Sequence, residues 1–184
     1  LTLNAGTRSS FWSFNNELLL SPRASIAFAP LWKKDIVFRL ATGVYYQAPF
    51  YRELRYPDGT LNNNIKSQKS SHYVFGTDYL FYQWGRPFKF ITEVYYKNLN
   101  NLIPYKVDNV RIQYLAENSS NGYASGIDFK INGEFVSGVE SWASLSIMKT
   151  EEDIIGDSYE DVNGNQVYPG FIPRPTDQRV NFSL

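Results

Sequence analysis

The chain has 184 residues, of which 43% are hydrophobic and 17% aromatic, with 14 Tyr, 13 Phe and 4 Trp. Eighteen basic and eighteen acidic residues cancel, which removes the electrostatic footprint expected for nucleic-acid binding, and the absence of cysteine rules out disulfides and thiolate metal sites. A mean hydropathy of -0.37 and the lack of a long apolar run exclude a transmembrane helix but leave open a barrel, whose strands are apolar at alternate positions only.

Taken in chain order, eight segments alternate with period two, as half-apolar strands do. The first, at about 1–9, carries Leu1, Leu3 and Ala5 on one face and Arg8 on the other. The second, at about 21–30, sets Ala24, Ile26 and Phe28 against Arg23. The third, at about 36–47, sets Ile36, Phe38, Leu40, Thr42, Val44 and Tyr46 against Arg39. At about 71–83, Tyr73, Phe75, Thr77, Tyr79 and Phe81 oppose Asp78; at about 88–98, Phe88, Phe90, Thr92, Val94 and Tyr96 oppose Lys89, Glu93 and Lys97. At about 122–132, Tyr123, Ser125, Ile127, Phe129 and Ile131 oppose Asp128 and Lys130. The last two, at about 139–149 and 178–184, carry Val139, Ser141, Ala143, Leu145 and Ile147, then Val180, Phe182 and Leu184, with Arg179 opposite. The ten charges named here all share one side.

The connections sort into two classes. Those at 31–35, 84–87 and 132–138 are short; those at about 10–20, 48–70, 99–121 and 150–177 are longer, and the two classes alternate. In an up-and-down sheet every second connection lies at the same end, so this pattern predicts an antiparallel transmembrane barrel with short turns at one rim and long loops at the other. Most complete strands reach ten residues or more, the length of a tilted bilayer crossing. Tyr46, Tyr73, Phe81, Phe88, Tyr96 and Tyr123 fall near strand ends, where aromatic girdles meet headgroups. The uncharged stripe then faces lipid and Arg39 faces a polar lumen. Both ends lie in mid-alternation, so the expectation is a partial barrel domain over 1–184, cut from a longer polypeptide.

At this point the residues resemble a known family. EVYYKNLNNLIPY (Glu93 to Tyr105), followed by a long loop and NGYASGIDFKINGEF (Asn121 to Phe135), is similar to the barrel of TonB-dependent outer-membrane receptors, especially those of the Bacteroidetes group. ATGVYYQAPFYRE (Ala41 to Glu53) and IPRPTDQRVNFSL (Ile172 to Leu184) look like neighbouring stretches of the same barrels. The resemblance implies a central-to-late portion of a barrel of about 22 strands with a plugged lumen in the bacterial outer membrane. It also implies import of a scarce or bulky ligand such as a siderophore, cobalamin, glycan or peptide. The implied partners are membrane lipid and lipopolysaccharide, a plug domain of the same polypeptide, the TonB complex through an N-terminal part, and a surface lipoprotein. Nucleic acid, cofactors and metals are not expected, nor is enzymatic activity. Under this reading Arg39, Asp78, Glu93, Asp128 and Lys130 face the plug or the translocation path.

Ligand contacts are expected on the outer loops. PFYRELRYPDG interleaves Phe50, Tyr51 and Tyr56 with Arg52 and Arg55, and Tyr105, Arg111 and Tyr114 follow in the next long loop. Aromatic rings stack on sugars and guanidinium groups grip carboxylates. Other chemistry is weakly signalled. GYASG (Gly122 to Gly126) lacks the order of a nucleophile elbow; its glycines are expected to ease a tightly packed strand, with Gly126 on the lumen side where a plug could approach. DVNGN lies in an acidic loop from Glu151 to Gln166 but does not fit a calcium-loop frame. Three alternatives carry distinct structural expectations. A complete eight-stranded barrel, acting as scaffold or adhesin, needs a closed sheet that pairs its ten charges inside. A soluble β-sandwich binding carbohydrate needs two layers with facing apolar sides. A barrel hydrolase would rely on His72, the single histidine, beside a serine or carboxylate.

Overall fold

A computed structural model describes residues 1–175 and 177–184. Thirteen strands and no helix are present among them: β1 Thr2–Trp12, β2 Glu17–Phe28, β3 Asp35–Gln47, β4 Gln68–Gln83, β5 Arg86–Leu102, β6 Tyr105–Asp108, β7 Arg111–Tyr114, β8 Ser120–Val136, β9 Val139–Ile154, β10 Tyr159–Glu160, β11 Gln166–Val167, β12 Phe171–Pro173 and β13 Val180–Ser183. Nine form one antiparallel sheet in the order β1-β2-β3-β4-β5-β8-β9, with β12 and β13 both on the far side of β9. β6–β7 and β10–β11 are small hairpins set into the connections. Sequential neighbours pair throughout the large sheet, which is an up-and-down meander.

The sheet is one layer, and its edges, β1 on one side and β12/β13 on the other, do not pair with each other. Among the described residues no second layer covers either face. That removes the structural basis of both the sandwich and the closed eight-stranded barrel.

Period-two patterning fixes which residues share a face, and pairing register turns the stripes into rows. Leu3, Ile26, Leu40, Phe75, Val94, Ile127, Ile147 and Val180 are aligned across the eight long strand positions, every one apolar. Within this row Phe75 is 47% exposed, Leu40 54% and Val180 63%, so the belt has no protein partner. Stacked aromatics bound it: Tyr96 against Tyr123 above and Phe81 against Phe88 below, with ring centroids 6.1 and 5.6 Å apart. Tyr73 and Phe81 are eight residues apart on β4, about 27 Å along the strand. At a barrel tilt of about 35–45° that is a rise of roughly 20 Å, somewhat under the roughly 25 Å apolar band of an outer-membrane barrel. β4 itself has 16 residues, about 50 Å, so it extends well beyond this belt.

The inner turns are tight. Trp84 and Gly85 both adopt positive φ, 54° and 73°, the conformation of the two-residue turn that matches strand twist. At the outer rim one expectation fails. The connection at 10–20 is a four-residue turn, Ser13–Asn16, because β1 and β2 extend as a hairpin with Trp12 opposite Glu17. Pairing of β2 with β3 covers only Arg23–Phe28. Above that, no bilayer-facing register imposes alternation, and the run Leu18, Leu19, Leu20 has none.

The loop expected at 150–177 also begins later. Glu151, Glu152 and Asp153 belong to β9, and Glu151 accepts a hydrogen bond from the Tyr123 hydroxyl at 2.5 Å. Arg179, assigned by alternation to the charged face, instead places Nη2 4.0 Å from Glu151 on the row of Tyr123, and Nε 2.6 Å from Asp177. Pairing to β9 shifts register here, with Pro173 opposite Glu151 but Val180 opposite Ile147, so period-two alternation does not run through Arg179.

Candidate functional site

Two sites emerge, one on the barrel wall and one above it. On the wall, Arg39, Gly76, Glu93, Asp128 and Ser146 occupy one row of the charged face, and Asp78, Ile91, Lys130 and Ser144 the next. Arg39 donates from Nη2 to Asp78 Oδ1 at 2.7 Å and to Glu93 Oε1 at 3.0 Å, and Lys89 Nζ lies 2.8 Å from Asp78 Oδ2. The guanidinium crosses over Gly76, where a Cβ would sit 3.4 Å from both Arg39 Nη2 and Glu93 Cγ. A larger residue there would separate the pair. Asp128 lies directly opposite Glu93, and its Oδ1 is sheltered without a hydrogen-bond partner among the described residues. These side chains line a concavity of about 460 Å³ that all five expected lumen residues share. Lys89 completes the network; its place in the same alternating set was the available signal.

Other basic residues of this face lie over aromatic rings. The Arg23 guanidinium is 4.5 Å from the Tyr45 ring, Lys97 Nζ 5.0 Å from Tyr95, and Lys130 Nζ 5.5 Å from Trp142. The strand is tightly packed at Gly126, where a Cβ would meet the Tyr95 hydroxyl at 2.6 Å and the Ile147 carbonyl at 2.8 Å. His72 Nε2 is 2.7 Å from Ser70 Oγ and its ring centroid 4.4 Å from that of Tyr45. Among the described residues no carboxylate hydrogen-bonds this histidine, which leaves the hydrolase reading without an orienting acid.

Above the wall, the 48–67 and 103–119 connections dock on each other. Asn118 accepts a bond from the Lys66 amide at 2.6 Å and donates from Nδ2 to the Lys66 and Asn101 carbonyls at 2.9 and 2.7 Å. Asn62 donates to the Ala116 carbonyl at 2.7 Å. On the other side Asn15 donates to the Ile65 carbonyl at 2.8 Å, and Glu17 accepts the Ser67 amide at 3.0 Å. Ile65, Ile103, Pro104 and Ala116 are buried at the centre. The loops thus share a small core of their own.

This docking brings Tyr51, Arg52, Arg55, Tyr56 and Tyr114 into one cleft of about 270 Å³, completed by Pro57, Ile112 and Gln113. Five of the eight expected ligand residues meet there. Tyr105 stands behind Tyr114, their ring centroids 5.7 Å apart, while Phe50 and Arg111 lie outside the cleft. Arg55 is held in place: its guanidinium stacks 4.6 Å over the Tyr51 ring, and Nη1 donates to the Gly59 carbonyl at 2.8 Å. Its Nε is sheltered with no acceptor. The turn beneath is tied by Asp58, which accepts from the Thr60 hydroxyl at 2.7 Å and amide at 2.9 Å, bonds that hold its carboxyl below the usual range. Pro57, Ile112 and Gln113 carried no sequence signal, because their position depends on how the β6–β7 hairpin packs.

In the acidic loop, Asp161 accepts the Asn163 and Asn165 amides at 2.8 Å each, and these bonds, with that from the Asn165 side chain, depress its pKa. Its oxygens cap a turn. Among the described residues no cluster of three or more metal-ligating side chains is present.

The chain matches the family described as TonB dependent receptor-like, beta-barrel, over residues 1–178. No curated protein and no solved structure matches it. The family is one of outer-membrane receptors and transporters rather than enzymes, and it implies a plug domain, engagement of TonB and a bacterial outer-membrane location. With the one-layer meander, the uncovered apolar belt and the charged opposite face, the chain belongs to the TonB dependent receptor-like β-barrel family.

Proposed function

We propose that residues 1–184 form a central-to-late segment of a receptor barrel of about 22 strands that imports a bulky or scarce ligand, captured first by the docked outer loops. The observation that carries this reading is the preformed cleft above the wall, where Tyr51, Arg52, Arg55, Tyr56 and Tyr114 converge. Binding residues on loops positioned by a rigid scaffold are a common arrangement. Siderophore, cobalamin, glycan and peptide all fall within the general class. Below the cleft, Arg39, Asp78, Glu93, Asp128 and Lys130 face the plug, and the unpartnered Asp128 oxygen suits a donor from it. The likeness to Bacteroidetes receptors favours a surface lipoprotein over the outer rim, and the apolar belt is read as the lipid contact, with lipopolysaccharide at its outer margin.

The test is ligand accumulation by cells carrying the intact receptor, with and without TonB. Accumulation should need both proteins and should fall when Tyr51, Arg52 and Arg55 are replaced by alanine. Uptake that persists without TonB, or fractionation of the receptor away from the outer membrane, would sink the proposal.

A further inference from the structure

The cleft's own chemistry narrows its ligand, given the reading of it as the capture site. Two guanidinium groups line it and, among the described residues, no carboxylate does. Arg52 is exposed and, among the described residues, has no ion-pair or hydrogen-bond partner. Arg55 is fixed by stacking on Tyr51 and by the bond from Nη1 to the Gly59 carbonyl, with its side chain on the wall of the cleft. A guanidinium held in this way presents its planar fork to a carboxylate with little further ordering. Glu53, the acid nearest in sequence, is taken up by the Phe50 amide and the Gln68 side chain, and Asp58 already accepts both Thr60 donors.

The remaining walls are the rings of Tyr51, Tyr56 and Tyr114 with the Ile112 side chain, surfaces suited to the face of a ring. A volume of about 270 Å³ is at the small end for ligand pockets, enough for one ring and its substituents. We infer that the cleft recognises a single ring bearing a carboxylate, the terminal or exposed unit of a larger ligand. The carboxylate is gripped by Arg52 and Arg55, and the ring lies on the tyrosines. A uronic acid and an aromatic acid both meet this description, presenting the same charge and a stackable face.

The experiment is calorimetric titration of the intact receptor in detergent with four probes: a galacturonic acid trisaccharide, the neutral galactose trisaccharide, benzoate and inorganic phosphate. Binding of the uronate or of benzoate, but not of the neutral sugar, is expected, and whichever acid binds names the ring. Arg55→Ala and Arg52→Ala should each weaken that binding by about tenfold or more. Arg55→Lys should fail to restore it, since lysine lacks the planar fork. Equal binding of neutral and acidic sugar, binding of phosphate alone, or no binding of any probe by a receptor that still imports through TonB would overturn the inference and leave the receptor reading standing. Loss of TonB-dependent import altogether would count against the receptor reading itself.

Discussion

Replacing Asn118 by alanine should release the docked outer loops from each other. The side chain makes three hydrogen bonds that bridge 52 residues to Lys66 and 17 residues to Asn101. Each is worth about 1 kcal/mol net, and water can replace part of the two made to Lys66, which are exposed. The expected loss is therefore about 2 kcal/mol of docking free energy, equivalent to a roughly 30-fold rise in the open fraction of the 62–68 segment. The effect is local, because strand pairing below does not involve Asn118. Asn101 supplies a further contribution: it holds positive φ, 55°, at the irregularity between Leu99 and Leu102, and its carbonyl is the part-buried acceptor. Amide hydrogen exchange of the intact receptor reads this directly. The Lys66 amide should exchange roughly 30-fold faster in Asn118→Ala, with β4 and β5 amides unchanged. Asn118→Asp keeps the acceptor for the Lys66 amide and loses both donors, so its effect should fall between the two. Unchanged exchange at Lys66, or uniform acceleration through the strands, would refute the idea that this side chain pins the loops.

On the wall, a double-mutant cycle between Arg39→Gln and Asp78→Asn should return a coupling of about 1 kcal/mol in denaturant unfolding, since the pair is only partly sheltered; additive effects would mean that the 2.7 Å contact contributes nothing. Gly76→Leu should weaken the Arg39–Glu93 contact, removing most of the coupling between those two residues in the same assay, because the new side chain occupies the path of the guanidinium. Val94→Arg, on the apolar belt, should cost about 2–4 kcal/mol in folding into lipid vesicles, whereas Ser146→Arg on the opposite face should cost well under half of that; equal costs would reverse the assignment of faces. The carboxyls of Asp58 and Asp161 are depressed below their ordinary 3.8 by bonds within their own turns. Such groups contribute stability above the unfolded pKa and lose it as pH falls through the folded one. Protection of the Thr60, Asn163 and Asn165 amides should therefore hold from neutral pH to about 3.8 and decline below it; decline beginning near pH 6 would contradict the assignment.

Sequence alone determined the strands of the wall and the face on which each side chain lies. A side-chain period of two, with an uncovered apolar belt on one face and charged groups on the other, leaves the same mark on every long strand, so Leu40, Phe75 and Val94 are readable as one class and Arg39, Asp78 and Glu93 as another. The same rule explains its failures. Beyond the apolar belt alternation no longer reports direction: the Leu18–Leu20 run conceals a strand, and the pairing shift between Pro173 and Val180 brings Arg179 to Glu151. Composition placed arginines and tyrosines in the outer loops but did not say which would meet. Tertiary structure alone decided that, because the cleft is assembled by contacts such as Asn118 with Lys66 and Asn62 with the Ala116 carbonyl, each spanning more than 50 residues. No local propensity encodes the meeting of two loops whose separation in the chain is bridged by strands β4 and β5.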